Sequence, residues 1–210
     1  MQVEKSITEK EMTKEIEIYL NHIKNVCPEL TEQELYKFGE KLTITKLRRN
    51  DFYIKTGQIQ KQGGFLVNGL IRVFHTDDFG NEKTIYFVPE NDYTFHYASF
   101  MDGKPSPLSF QCLEPSIIVN FPADYLHKAY EQFPKFDRYG RRIVEQKLKL
   151  QQERLEGFLF KDAEQRYLEF IIQFPDLFNR ISITHLCSYL GVGRQTLTRI
   201  RQKLAKPIKI

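Results

Sequence analysis

The sequence predicts an α+β fold in which a small antiparallel jelly roll, a double-stranded β-helix, lies between two helical regions. Three observations carry this. The hydrophobic period is helical at both ends of the chain; it shortens to two between Leu42 and Phe121; and turn residues interrupt that middle stretch at regular short intervals.

The first helical region covers residues 9–40. Ile16, Leu20 and Ile23 recur at helical spacing, and after Pro28 the segment LTEQELYKF sets Thr31 three residues before Glu34. That spacing is a capping box opening a second helix.

From Leu42 the segments LTITKL, DFYI, GFLV, LIRVFH, KTIYFV, LSFQCL and SIIVNF are β-branched and aromatic. Such residues fit a pleated, half-buried surface. Gly57, Gly63-Gly64, Asn68-Gly69, the DDFGN loop, Asn91-Asp92 and MDGKPSP separate them. Asn68-Gly69 suits a tight turn, and Asp77 to Asn81 with Gly80 suits a hairpin.

From Tyr125 the helical period returns, and a long proline-free stretch follows Pro134. Within it Val144, Leu148, Gln151, Leu155 and Phe158 fall at spacings of four, three, four and three, an a/d seam with one polar member. So narrow a stripe suits contact with another helix, in a second copy of the chain or in the chain's own domain; dimerisation is the preferred reading. Gly157, followed by FLF, reads as a hinge into a helix from Asp162 to Phe174, which Pro175 stops.

Composition narrows the function classes. With 210 residues, 41% hydrophobic and 28% charged, the chain is neither disordered nor in need of a metal or disulfide staple. MQVEKSITEKEMTKEIEIYL mixes both charge signs and reads as neither signal peptide nor membrane anchor, so a cytoplasmic location is expected. Cys27, Cys112 and Cys187 stand far apart among apolar neighbours, as buried thiols do, and no zinc or iron–sulfur spacing is present. From Asp176 onward seven basic residues (Arg180, Arg194, Arg199, Arg201, Lys203, Lys206 and Lys209) face a single acid. That is +6 against a total of +4, so the body carries −2 and the tail reads as a polyanion-binding end.

The segment ISITHLCSYLGVGRQTLTRIRQKLAK explains that tail. Ser182 reads as an N-cap between the staple residues Ile181 and Leu186, Cys187 as the small residue at a helix crossing, Gly191 as a left-handed helix end, and Val192 as a plug. In the second helix Leu197, Ile200 and Leu204 form the expected buried stripe, leaving Arg194, Gln195, Thr198, Arg199 and Gln202 outward. Guanidinium, amide and hydroxyl groups on one helix face are the chemistry that reads base edges and phosphates in double-stranded DNA. An ordinary helical hairpin with a solvated basic face is the competing reading.

Laid out in order, the chain resembles the Crp/Fnr family of bacterial transcription regulators over essentially its full length. The resemblance rests on GFLVNGLIRVFHTDDFGNEKTIYFVPEND, then the long helix, then LGVGRQTLTRIRQKL. It implies a cyclic-nucleotide-binding-like sensor with N-terminal helices over residues 1–136, a dimerisation helix over 137–160, and a helix-turn-helix domain of winged-helix type over 161–210. The family's recognition positions fall on Arg194, Gln195 and Arg199 as base readers, with Ser182, Thr196, Thr198 and Arg201 as candidate phosphate contacts. RNA polymerase is a further partner that the resemblance implies. The cluster Tyr93, Phe95, His96, Tyr97 and Phe100, with Ser106, sits where the family's effector pocket lies; it either fills the cavity, leaving no effector, or lines an apolar one.

Three departures qualify the resemblance. Nucleotide-binding members carry Gly-Glu and Arg-Ser or Arg-Thr where this chain has Phe95-His96 and Ser106-Pro107, so the effector is not expected to be cyclic AMP. The amino-terminal cysteine cluster of the oxygen-sensing branch is absent, and only AKPIKI follows Leu204, so the wing is expected to be reduced or absent. No metal or other cofactor is expected. A cupin-type metalloenzyme would need a His-x-His, and His75 and His96 are the only histidines in the β region. A haem sensor using one of those two histidines, or a ligand-binding module without DNA affinity, would also be compatible with a β region of this kind. His22, His127 and His185 lie on expected helices. Neither nucleophile elbow, P-loop nor dinucleotide fingerprint occurs, so no enzyme is expected.

Overall fold

The computed structural model describes residues 12–205. Helix α1 (Lys14–Val26) buries Ile16, Tyr19, Leu20 and Ile23, one face at helical spacing. Helix α2 (Glu32–Gly39) starts at Thr31, whose hydroxyl accepts from the Glu34 N–H while the Glu34 carboxylate accepts from the Thr31 N–H. The remaining residues of the expected 9–40 region, 9–11, lie outside the described ones.

Eight strands follow: β1 (Thr43–Leu47), β2 (Phe52–Ile54), β3 (Gln62–Asn68), β4 (Ile71–Thr76), β5 (Glu82–Val88), β6 (Asp92–Tyr93), β7 (Ser109–Cys112) and β8 (Ser116–Pro122). They form two antiparallel four-stranded sheets, ordered β1-β8-β3-β6 and β2-β7-β4-β5. Alternation decides which side chains meet. Leu66 and Ile118 of the first sheet share a buried cluster with Ile71, Val73 and Phe110 of the second, whereas their chain neighbours Phe65 and Val119 turn outward to α1. The β4–β5 hairpin closes at the expected loop, where the Asp77 carboxylate accepts from the Phe79 and Asn81 N–H groups and Gly80 has φ 81°.

Two short elements escape the sequence pattern. Asn91-Asp92 reads only as a turn, yet Asp92 and Tyr93 pair with Leu66 and Phe65. The aromatic stretch after it forms α3 (Tyr97–Asp102), too short to show a period.

Helix α4 (Ala123–Gln132) precedes α5 (Pro134–Phe160), where Pro134 fills the first turn, in which no N–H partner is required. The expected dimerisation helix, 137–160, therefore begins three residues earlier, and Phe136 and Tyr139 of its first turns belong to the core under the first sheet. Gly157 is not a hinge. The helix runs through it, and its carbonyl accepts from the Lys161 N–H. Extended Lys161 makes the break, and Asp162 opens α6 (Ala163–Gln173) with a capping box to Gln165. Pro175 stops α6 and begins a single 3-10 turn, Pro175–Leu177. Helices α7 (Ile183–Leu190) and α8 (Arg194–Leu204) complete the described chain. The question of a wing, with Lys206 and Lys209, lies outside the described residues.

The C-terminal helices share a core with the second sheet. Leu70 and Phe87 cluster with Tyr167, Phe170, Leu186 and Leu190. Three free cysteines, Cys27, Cys112 and Cys187, are all buried.

Candidate nucleic-acid interface and aromatic cavity

Local chemistry sets the α7–α8 hairpin. The Ser182 hydroxyl accepts from the His185 N–H, closing the first turn of α7. Gly191 ends α7 at φ 68°, ψ 36°, and the following Val192 N–H returns to the Cys187 carbonyl. Val192 packs against the hairpin core beside buried Leu186, Cys187 and Leu190. In α8, Leu197 and Ile200 are buried. Leu204, expected to complete that stripe, is 41% exposed, because no element covers the last turn among the described residues.

Burial of Leu197 and Ile200 fixes the rotation of α8 and turns Arg194, Gln195, Thr198, Arg199 and Gln202 to solvent. Arg194 donates to the Thr184 hydroxyl across the turn, and Thr198 donates back to the Arg194 carbonyl at 3.0 Å. Gln195 and Arg199 have no hydrogen-bond or ion-pair partner among the described residues. Gly193, the residue before α8, supplies no side-chain cap, so the first N–H groups of α8 also face out.

Among the described residues, the other basic side chains of the tail are engaged elsewhere. Arg201 turns inward: its Nε donates to the Tyr167 hydroxyl at 3.1 Å and its guanidinium lies 5.0 Å from the Phe178 ring centre. Its expected exposure to phosphate is not what the side chain adopts here, since aromatic faces attract it. Lys203 pairs with Glu164, which raises its pKa. Arg180 is a clasp. It donates to the Glu90 and Glu114 carboxylates and to the Gly69 carbonyl, tying the hairpin to the β region. Burial works against the Glu90 charge, but the Arg180 hydrogen bonds outweigh it and hold that carboxyl below its usual range. Ser188 of α7 adds an edge contact, donating to the Glu82 carbonyl at 3.0 Å and accepting from the Thr84 N–H at 2.8 Å. In the sequence Arg180 counts as part of the outward charge; nothing in the local pattern reveals two distant carboxylates.

The seam on α5 is exposed along its length: Val144, Leu148, Gln151 and Leu155 face solvent, with Leu148 at 65% and Leu155 at 60%. Phe158 is partly covered, with Arg154 of α5 and Arg166 of α6 stacked on its ring at 5.0 and 5.2 Å.

The aromatic cluster lines a cavity of about 370 Å³ between α3, α4, α5 and the first sheet. Tyr93, Phe95, Tyr97 and Phe100 are in its wall, so the cluster does not fill the space. His96 and Ser106 do not line it. His96 caps α3, its Nδ1 2.8 Å from the Ser99 hydroxyl, and burial lowers its pKa. The Ser106 hydroxyl is buried in its own turn, donating to the Leu108 carbonyl and accepting from the Leu108 N–H. Tyr19, Tyr130, Tyr139 and Val144, which no sequence pattern assigns to the cavity, complete it from three helices. Among the described residues no group of three His, Cys, Asp or Glu side chains could hold a metal ion, and no helix is long and apolar enough to cross a membrane.

A β domain of this topology, a long exposed helix and a basic helical hairpin are an arrangement that resembles the Crp/Fnr type of transcription regulator. Comparison with known proteins shows what the chain is similar to. Residues 44–133 match the cyclic nucleotide-binding domain family. The transcriptional activator protein anr of Pseudomonas aeruginosa is 23% identical, the match covering 76% of this chain and 74% of the relative. FixK2 from Bradyrhizobium japonicum shares the fold with a TM-score of 0.68 at 15% identity, covering 78% of this chain and 84% of that one. The global regulator CLP of Xanthomonas campestris, described as responsive to c-di-GMP, does so at 0.67 and 12% identity, covering 83% and 91%.

Proposed function

We propose that the chain is a cytoplasmic, sequence-specific DNA-binding regulator and not an enzyme, acting as a homodimer on a palindromic operator without control by cyclic AMP. The observation that carries this reading is the face of α8, where Arg199 and Gln195 stand exposed and unpartnered on a helix whose rotation is fixed by buried Leu197 and Ile200. A helix-turn-helix places such a face in the major groove, where Arg194 and Arg199 donate to guanine O6 and N7 and Gln195 pairs with adenine. Ser182, Thr196 and Thr198 are then phosphate contacts, and Arg201 joins them only by leaving Tyr167. On this reading residues 1–136 are a jelly-roll sensor domain, 137–160 the dimerisation helix and 161–210 the DNA-binding domain, with RNA polymerase a further partner.

The exposed α5 seam supports self-association, since an apolar stripe on a helix that bridges two packed regions needs a cover. Against cyclic AMP stand the side chains at the nucleotide-binding positions. Phe95-His96 offers no ribose-binding carboxylate, His96 already occupies the first turn of α3, and Ser106 is buried with no arginine beside it in sequence. Calorimetric titration is expected to show no cyclic AMP binding; a dissociation constant in the low micromolar range would overturn that part.

Selection from random duplexes tests the central claim. The recovered site is expected to be a palindrome with half-site centres one helical turn apart. Arg199→Ala is expected to cost about 1–3 kcal/mol per half-site and to relax one base pair. Unchanged affinity and sequence preference in that variant would remove α8 as the reading helix.

A further inference from the structure

The cavity beside α5 has a chemistry that specifies its ligand. Its walls are rings: Phe95 lies 5.0 Å from Phe100 and 6.0 Å from Phe121, centre to centre. Its buried polar atoms are phenol hydroxyls, those of Tyr93 and Tyr139 hydrogen-bonded to each other, with Tyr19 also in the wall. Burial pushes the Tyr19 and Tyr139 phenols well above their ordinary range, and Tyr130 up to about 12, so all three are neutral donors and acceptors at physiological pH. The charged lining residues, Asp137, Arg141 and Glu145, are all exposed on α5, and Arg141 lies 3.9 Å from Glu145. An anion in the interior therefore finds no cation and a cation finds no carboxylate, and either is desolvated without compensation.

We propose that this cavity binds an uncharged, largely aromatic small molecule carrying one hydrogen-bonding group, which meets the Tyr93–Tyr139 hydroxyl pair. At about 370 Å³ the space is at the small end of ligand sites. Of the nucleotide-type positions only Phe95 is in its wall, and neither His96 nor Ser106 reaches it. The inference rests on the regulator reading for its purpose: Val144 is both in the cavity wall and on the exposed seam of α5, so occupancy bears on the helix proposed to pair. Binding itself needs no DNA.

Calorimetry on the full chain with three probes of one shape tests this: 1-naphthol, its apolar analogue 1-methylnaphthalene, and the anion 1-naphthalenesulfonate. One naphthol per chain is expected, with the sulfonate weaker by more than about tenfold. Tyr139→Phe is expected to weaken naphthol about three- to tenfold while leaving 1-methylnaphthalene unchanged. Met101→Trp, at an exposed position of the wall, is expected to block all three probes without disturbing the core. No naphthol binding, equal affinity for the sulfonate, or undiminished binding in Met101→Trp would each overturn the proposal. Binding confined to a monomeric Leu148→Lys, Leu155→Lys variant would overturn it too, giving the cavity to the second chain. Operator selection, which uses no probe, tests the regulator reading separately, so failure of one is distinguishable from failure of the other.

Discussion

Two glycines flank the turn between α7 and α8, and they do different work. Gly191 sits at φ 68°, where a Cβ would also meet the Phe158 ring at 3.1 Å. Left-handed backbone costs an ordinary residue about 1–2 kcal/mol, so Gly191→Ala is expected to destabilise the chain by at least that much in urea unfolding. Gly193 is extended at φ −77°, and nothing lies within 4 Å of a Cβ there. Gly193→Ser would place a hydroxyl at the N-cap of α8 and is expected to be neutral or stabilising by a few tenths of a kcal/mol. The pair in Gly191-Val192-Gly193 is equally visible in the sequence, but only the backbone angles separate the glycine that the turn demands from the one it tolerates. Arginines divide the same way. Arg199 stays in solvent and Arg201, two residues on, bends back to Tyr167 and Phe178, a choice made by rings on other segments.

At the scale of elements, α5 is where chain pattern and tertiary placement diverge. Leu148→Lys with Leu155→Lys is expected to give monomers in sedimentation at tens of micromolar, since both side chains are exposed and removing them disturbs no intramolecular core. A monomeric wild-type chain would sink the pairing of this helix. The seam is legible in the sequence because a/d spacing is a property of the helix itself. The start of the helix is not, because Phe136 and Tyr139 continue the same hydrophobic face into the core of the β region. Gly157 misleads for a related reason: glycine is a local breaker signal, but an uninterrupted hydrogen-bond ladder from Gly157 to Lys161 keeps the helix whole. The seven expected strand segments all correspond to strands, while the two-residue β6 and six-residue α3 are too short to carry a period. Half of the cavity is legible as an aromatic run, Tyr93 to Phe100. The other half comes from α1, α4 and α5, and only folding brings it there.

For the whole molecule, the orientation of the hairpin against the β region turns on Arg180. Its guanidinium holds two carboxylates from separate strand ends, Glu90 and Glu114, together with the Gly69 carbonyl, while Ser188 anchors α7 to the edge of β5. Removing the arginine leaves two half-buried carboxylates facing one another without a counter-charge. Arg180→Met is therefore expected to cost roughly 1–3 kcal/mol, less than a fully buried pair because water reaches the site. The pH dependence has a definite sign. Glu90 is held below its ordinary value in the folded chain, so its contribution is fully present above the glutamate range and is lost as pH falls through the folded value. Wild-type chain is thus expected to keep the hairpin docked at pH 7 and to release it in acid, whereas Arg180→Met releases it at pH 7. Limited proteolysis between α6 and α7, where Phe178 to Ser182 lies beside the clasp, reports docking separately from global unfolding. Equal cleavage rates for the two chains at pH 7 would show that the shared apolar core of Leu70, Phe87, Phe170 and Leu190 holds the hairpin without the clasp.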